Sequence, residues 1–109
     1  MSSEIEALLQ NVKNGKPLSF ESLYRLYTPL IESTAYSFCK RFSLASAEAD
    51  DLKQEAAIAL YNAVLAYEPS KNVSFGIYAK VCIRNRIISY IRYFHEKYSA
   101  EPIDELETH

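Results

Sequence analysis

The side chains best suited to binding chemistry lie in a basic, aromatic stretch near the carboxyl end of the chain. Residues 71–98 include six lysines and arginines but a single acid, Glu96. If this stretch is helical, a spacing of three or four residues places several cationic and aromatic side chains on one side. These residues are Arg86, Tyr90, Tyr93 and Lys97. Cations beside stackable rings suit an anionic partner engaged on one surface, although a solvated helix face explains the charges equally well.

A second candidate surface lies in the preceding stretch, where acidic and amide side chains stand beside apolar ones. The apolar pattern of a buried helix face runs through Leu52, Ala56, Leu60, Ala63 and Tyr67. A different face is left to Asp51, Gln54, Glu55, Ile58 and Asn62. Carboxylate and amide acceptors beside apolar area suit a basic protein partner. The structural alternative is that Asp51 compensates the helix dipole and that Gln54 and Glu55 are only solvated.

The elements that must position these surfaces are predicted to be helical throughout. The chain has 109 residues, of which 49% are hydrophobic and 24% charged, and it contains only two glycines. This length fits one domain with its own core, and few glycines are available for the tight hairpins of an all-β fold. We therefore expect an all-α protein, a compact bundle of about four to five helices over residues 1–98. Residues 99–109 are predicted to form an acidic tail or the start of a linker.

Helix boundaries in the first half follow from caps and breakers. One of the serines at positions 2 and 3 is predicted to cap a first helix, which the sequence Asn14-Gly15-Lys16-Pro17 ends. Ser19 is predicted to cap the second helix. Pro29 is expected to kink or break that helix, because proline cannot donate a backbone hydrogen bond. A further helical piece is then expected over residues 29–42.

Two longer helices are predicted in the second half. Ser46 is the expected cap of a central helix that runs to about Tyr67, where Glu68-Pro69 ends it. Ser74 is the expected cap of the last helix, which runs from about residue 75 to about residue 98.

Other classes of site find little support in the sequence. Cys39 and Cys82 lack ligand spacing and are predicted to be core residues in a reducing compartment. His95 and His109 have no ligand partner at helical spacing, so we expect neither a metal nor another cofactor. No catalytic triad, glycine-rich phosphate loop or paired carboxylates rise above chance, which argues against an enzyme. No membrane-spanning run or signal peptide is evident, so we expect a cytoplasmic protein without a membrane partner.

Several short motifs, in a fixed order, resemble the second conserved region of bacterial RNA polymerase sigma factors. They are Phe20-Glu21-Ser22-Leu23-Tyr24 with Tyr27 and Pro29, Asp51-Leu52-Lys53-Gln54-Glu55, Ala63-Val64, Tyr67-Glu68-Pro69-Ser70-Lys71, Val73-Ser74-Phe75, Tyr78-Ala79 and Ile83-Arg84. The resemblance covers residues 20–94, and the order of these motifs is a specific combination. It implies a helical domain that joins core RNA polymerase to the minus-ten element of a promoter.

The resemblance also implies two sets of site residues. The residues that correspond to the family's contact with the clamp helices of the polymerase β′ subunit are Asp51, Gln54, Glu55, Ile58 and Tyr61. Those that correspond to its contact with the non-template strand of promoter DNA are Phe75, Tyr78, Lys80, Arg84, Asn85, Arg86, Ser89, Arg92 and Tyr93. Phe75 and Tyr78 match aromatics that capture flipped bases, although we expect Phe75 to be at least partly core. Arginines can neutralise phosphates, whereas Asn85 or Ser89 could read a base edge.

Two departures from the family pattern bear on function. Val81-Cys82 stands where housekeeping members have a pair of tryptophans, so the chain resembles an alternative sigma factor of sporulation or extracytoplasmic-function type. Nothing after Tyr98 supplies a helix-turn-helix domain for the minus-thirty-five element, so we expect either a longer protein or a reduced relative. The competing hypothesis is a helical protein-interaction module that binds polymerase or an anti-sigma factor and has lost DNA melting.

Overall fold

The computed structural model describes residues 3–98 and is all-α over that range, as predicted. Its elements are α1 (Ser3–Lys13), α2 (Pro17–Arg41), α3 (Ser46–Ala66), a short 3-10 helix (Pro69–Lys71) and α4 (Phe75–Tyr98). The predicted acidic tail lies outside the described residues. None of the described helices combines the length and apolar character needed to cross a membrane.

The core is built around α3, which packs against each of the other three α-helices. Its predicted apolar stripe is buried, from Leu52 through Ala56 and Leu60 to Tyr67. Because that stripe faces inward, Asp51 and Gln54 on another side of α3 are exposed to solvent. The remaining large and fully buried side chains are Leu23, Ile31, Val64, Phe75, Ile83 and Ile87.

The helix α1 and the helix α2 both end in the same hydrogen-bonded turn. Gly15 (φ +80°) follows α1, and the Lys16 N–H donates to the Asn11 carbonyl over 3.1 Å. Ser43 (φ +54°) takes the equivalent place after α2, where the Leu44 N–H donates to the Cys39 carbonyl over 2.9 Å. This six-residue bond with a left-handed residue inside it is the Schellman motif, which satisfies carbonyls that the helix leaves unpaired.

Two of the predicted helix caps are wrong. The helix α2 begins at Pro17 with Lys16 as its N-cap, so Ser19 lies within the first turn. Proline is well suited to this first helical position, because its missing N–H would have no partner there. The helix α3 begins at Ser46, so its N-cap is Ala45, whose carbonyl accepts from the Glu48 N–H at 2.9 Å. The cap predicted at Ser74 is confirmed, since its Oγ accepts the Ile77 N–H at 3.3 Å.

Of the kink or break predicted at Pro29, the break is wrong, because α2 continues through Pro29 for another three turns. The Pro29 side chain is exposed, while Leu23 before it and Ile31 after it are fully buried. Burial of both halves therefore holds α2 together although one backbone hydrogen bond is missing. The Thr28 hydroxyl donates to the Tyr24 carbonyl at 2.9 Å, one turn back along the helix.

Candidate functional site

The first candidate surface, here called the α3 surface, consists of Asp51, Gln54, Glu55, Ile58 and Tyr61. Asp51 and Gln54 are exposed, and the large side chains of Ile58 and Tyr61 are 43% and 42% exposed. Leu65 continues the same face one turn later and is 49% exposed, although sequence reasoning did not include it. Its spacing of seven residues from Ile58 was the available signal. The result is an apolar strip with acceptors at one end.

The Tyr61 ring is held in place by the helix α2. It meets the Phe20 ring edge to face, with ring centroids 5.4 Å apart. Phe20 in turn lies 6.4 Å from the Tyr24 ring. Aromatic pairs of this kind contribute about 0.5–1.5 kcal/mol beyond their buried area. Tyr61 is therefore both partly exposed and anchored, which suits a contact residue.

A groove of about 630 Å³ between α2 and α3 adjoins this surface, and Gln54 lies on its wall. Lys53 crosses the groove, with its Nζ 3.3 Å from an Asp50 carboxylate oxygen and 3.4 Å from the Tyr36 hydroxyl. These hydrogen bonds, with the one to Tyr36 contributing most, raise the pKa of Lys53. Lys53 therefore stays charged at neutral pH and balances part of the local acidity.

Glu55 is the point at which the two predicted surfaces meet. Its Oε1 accepts a hydrogen bond from the Arg86 Nε at 2.9 Å, and the two side chains are 22% and 38% exposed. Sequence reasoning placed Glu55 with the polymerase contacts and Arg86 with the DNA contacts. It missed their pairing, because residues 31 apart have no local pattern that brings them together.

Arg86 lies on a second, largely open groove of about 420 Å³. Its lining residues are Glu55, Asn85, Arg86, Ser89, Tyr90 and Tyr93. Asn85 and Ser89 are exposed, and the Tyr93 side chain is 59% exposed. The predicted cationic and aromatic side of α4 is thus assembled as expected over this stretch, although the Lys97 side chain lies outside the described part.

The other cationic side chains predicted to contact DNA differ in their exposure and in their contacts within the protein. Lys80 is exposed, whereas Arg84 and Arg92 are half-buried. The Arg84 guanidinium lies over the Phe38 ring of α2, 5.5 Å from its centroid. This cation–π contact fixes the side chain while its charge remains on the surface of α4.

The aromatic residues at the start of α4 take different positions. Phe75 is fully buried, and its ring meets those of Tyr67 and Tyr27 edge to face at 5.3 and 5.8 Å. Tyr78 is half-buried and lies 5.7 Å from the Tyr67 ring. The Tyr67 hydroxyl donates to the Val73 carbonyl at 2.6 Å, which ties the loop before α4 to the same cluster. Of the two aromatic residues predicted to contact DNA, Phe75 and Tyr78, only Tyr78 reaches the surface.

A cavity of about 440 Å³ opens beside Tyr78. Its lining residues are Ala66, Tyr67, Glu68, Lys71, Val73 and Tyr78. The nearby Cys82 thiol, followed by burial, raises the pKa of Tyr78, so its hydroxyl stays protonated and can donate at neutral pH. The cavity combines two aromatic rings with an ion pair, in which the Lys71 Nζ lies 3.7 Å from a Glu68 carboxylate oxygen. The two rings are a suitable lining for a heteroaromatic ring.

The two cysteines are free thiols. Cys39 is a core residue, as predicted, and burial raises its pKa. The prediction holds only in part for Cys82, which is half-buried and packs against the core. No cluster of three or more metal-ligating side chains occurs within the described residues.

Comparison with known proteins gives relatives of one kind. Over 100 residues the chain is 31% identical to the RNA polymerase sigma factor SigI of Bacillus subtilis (strain 168). This alignment covers 92% of the chain and 38% of the relative. It is 35% identical over 74 residues to the RNA polymerase sigma factor FliA of Pseudomonas aeruginosa, covering 68% and 30% of the two chains. The RNA polymerase sigma-H factor of Bacillus subtilis is 28% identical over 89 residues, covering 82% and 39%. No solved structure gives a significant match.

The chain spans well under half the length of each of these relatives. Residues 23–94 match the family model for sigma-70 region 2, a range that includes most of α2 and all of α3. This range also contains every predicted site residue. The resemblance carried by the short motifs is therefore confirmed, and the chain belongs to the sigma-70 region 2 family.

Proposed function

We propose that this chain is the part of a sigma factor that binds core RNA polymerase and the minus-ten element of a promoter during transcription initiation. The observation that carries the proposal is the arrangement of its two surfaces. An acceptor-rich, partly apolar surface on α3 and a cationic, aromatic surface on α4 lie on helices that pack directly together. One rigid bundle can therefore hold a protein partner and a DNA strand at the same time.

The α3 surface is assigned to the clamp helices of the polymerase β′ subunit. The exposed carboxylate and amide of Asp51 and Gln54 give charge complementarity to a basic partner, and Ile58 and Tyr61 provide apolar contact area. Glu55 contributes less directly, because its carboxylate is already bonded to Arg86.

The exposed or partly exposed side of α4 that carries Tyr78, Lys80, Arg84, Asn85 and Ser89, here called the α4 surface, is assigned to the non-template strand of the minus-ten element. A base taken out of the stack costs a few kcal/mol, and stacking on an aromatic side chain recovers roughly 1–3 kcal/mol. We assign the captured base to Tyr78 and its cavity, whose rim carries the Lys71–Glu68 ion pair. Phe75, being buried, supports the Tyr67–Tyr78 cluster from beneath and is left out of the direct contacts. Further along α4, Lys80 and Arg84 are assigned to phosphates, and Asn85 and Ser89 to base edges. Arg86 lies beside them and is bonded to Glu55.

The polymerase contact is tested by pull-down of core RNA polymerase with the full chain. Asp51→Lys combined with Gln54→Ala should abolish binding, whereas Glu4→Lys on α1, which makes the same change of charge away from both surfaces, should not. Substitution of Glu55 is avoided, because it would also release Arg86. Undiminished binding by the Asp51/Gln54 variant would contradict the assignment of the α3 surface.

The DNA contact is tested by fluorescence anisotropy with a single-stranded oligonucleotide containing a minus-ten-like sequence. Tyr78→Ala should weaken binding by about 1–3 kcal/mol, whereas Tyr78→Phe, which keeps the ring, should retain most of it. Affinity should also fall steeply with salt, since phosphates are neutralised. Binding to polymerase without any binding to the strand would instead support a protein-interaction module that has lost DNA melting.

A further inference from the structure

Two large apolar side chains on α4 are exposed without any part in the core. Ile77 is 62% exposed and Val81 is 50% exposed, and they lie four residues apart on the same side of the helix. Exposed apolar side chains scattered singly need no explanation, but a neighbouring pair inside a binding surface does. We refer to these two residues as the α4 apolar pair.

The α4 apolar pair lies between two other rows of side chains. Successive residues of an α-helix are rotated by about 100° around its axis, so Lys80 and Arg84 form a row on one side of the apolar pair. Tyr78 and Asn85 follow on the other side. Across the exposed face of α4 the order is therefore cationic, apolar, then aromatic and polar. Lys80 is exposed, and Arg84 is held over the Phe38 ring.

This order fits a single nucleic-acid strand lying along α4. Phosphates would follow Lys80 and Arg84, and the bases would cross the apolar pair with one base reaching the Tyr78 cavity. Residues four apart on a helix rise about 6 Å, which is comparable with the spacing of successive nucleotides in an extended strand. A protein partner fits less well, because lysine is depleted at the centre of protein interfaces and the apolar area is only two side chains wide.

We propose that Ile77 and Val81 are specificity-determining residues that contact the C5 methyl groups of thymines next to the captured base. This inference rests on the proposed function and deepens it, because it names the base that the strand must carry. Thymine is the DNA base with a methyl group, and apolar side chains are its usual complement. Removal of one methyl group from such a contact should weaken binding about fourfold.

The test uses the full chain and single-stranded minus-ten-like oligonucleotides in which one thymine at a time is replaced by deoxyuridine. This replacement removes only the methyl group. For the wild-type chain, affinity should fall about fourfold at one or two positions and stay unchanged at the others. The Ile77→Ser and Val81→Ser variants, which lose every side-chain methyl group, should each bind thymine and deoxyuridine strands equally at one of those positions. Leu26→Ser, which makes the same kind of change at an exposed leucine on α2, should keep the wild-type preference.

Two results would overturn the inference while leaving the proposed function intact. One is strand binding that depends on Tyr78 but is equally tight for oligonucleotides with thymine or deoxyuridine at every position. The other is loss of polymerase binding by Ile77→Ser or Val81→Ser with the thymine preference retained, which would make the pair a protein contact. If the wild-type chain, alone and bound to polymerase, fails to bind any single strand, the proposed DNA function fails and this inference fails with it.

Discussion

The ion pair between Glu55 and Arg86 shows how one side chain can belong to two surfaces. Glu55 lies on the α3 surface, yet its carboxylate is used inside the protein by a residue of α4. With exposures of 22% and 38%, the pair is less screened than an ordinary surface ion pair. A change at Glu55 therefore alters the position of Arg86 as well as the charge of the α3 surface.

We expect Glu55 and Arg86 to be coupled in stability by about 1 kcal/mol. The free energy of unfolding would be measured by urea denaturation for Glu55→Ala, Arg86→Ala and the double variant. The double variant should be more stable than the sum of the single effects predicts. Arg25→Ala and Glu21→Ala provide a matched cycle, because that pair is exposed and should show coupling near zero. Additive effects at Glu55 and Arg86 would show that the pair contributes nothing.

Among the residues that the structure describes, the four ionisable groups with shifted pKa values all move in the same direction. Burial raises the pKa of Tyr27 and of Cys39, hydrogen bonds raise that of Lys53, and the neighbouring thiol raises that of Tyr78. A raised pKa means that the folded chain holds its proton at a pH where the unfolded chain releases it. The stabilisation is therefore complete below the unfolded-state values and is lost as the pH rises through the folded-state values.

We accordingly expect the free energy of unfolding to be lower at pH 10.5 than at pH 7.5. The reference pKa values of cysteine, tyrosine and lysine, about 8.5 to 10.4, place the decline in the alkaline range. Urea denaturation at a series of pH values measures it, and return to pH 7.5 should restore the original midpoint. Constant or increasing stability over this range would contradict the direction of the shifts.

At the level of helices, two local sequence signals succeeded. Ser74 caps α4 through its Oγ, and α1 ends at the Asn14-Gly15 sequence, both as predicted. Gly15 contributes to that end by adopting a left-handed conformation. The signals that failed were overridden by neighbours. Pro17 starts α2 before Ser19 can cap it, and burial on either side of Pro29 keeps α2 whole.

The matching turns after α1 and α2 lead to a paired prediction. Ser43 holds a left-handed conformation that glycine adopts without strain, so Ser43→Gly should stabilise the protein by up to about 1 kcal/mol. Gly15→Ala should destabilise it by a similar amount, although a Cβ there meets nothing within 4 Å. Thermal or urea denaturation measures both. Destabilisation by Ser43→Gly would mean that the serine side chain contributes more than its backbone strain costs.

For the molecule as a whole, the sequence was sufficient for the fold class and for which faces of α3 and α4 are exposed. Both follow from apolar periodicity, which is a local property. The contacts between elements were not accessible in this way. The Arg86–Glu55 bond, the Arg84–Phe38 contact and the Tyr78 cavity depend on how helices distant in sequence come together. Phe75 lies between these cases, since its helix position was predicted but its complete burial depends on Tyr27 and Tyr67.

The central claim is that one bundle carries a polymerase surface on α3 and a strand-binding surface on α4. The most direct test is size-exclusion chromatography of core RNA polymerase with the full chain and a labelled single-stranded minus-ten-like oligonucleotide. The wild-type chain should bring the oligonucleotide into the polymerase peak. Tyr78→Ala should keep the chain in that peak and lose the oligonucleotide, whereas Asp51→Lys with Gln54→Ala should lose both. If the wild-type chain elutes apart from polymerase, or if the two variants behave alike, the two-surface account is wrong.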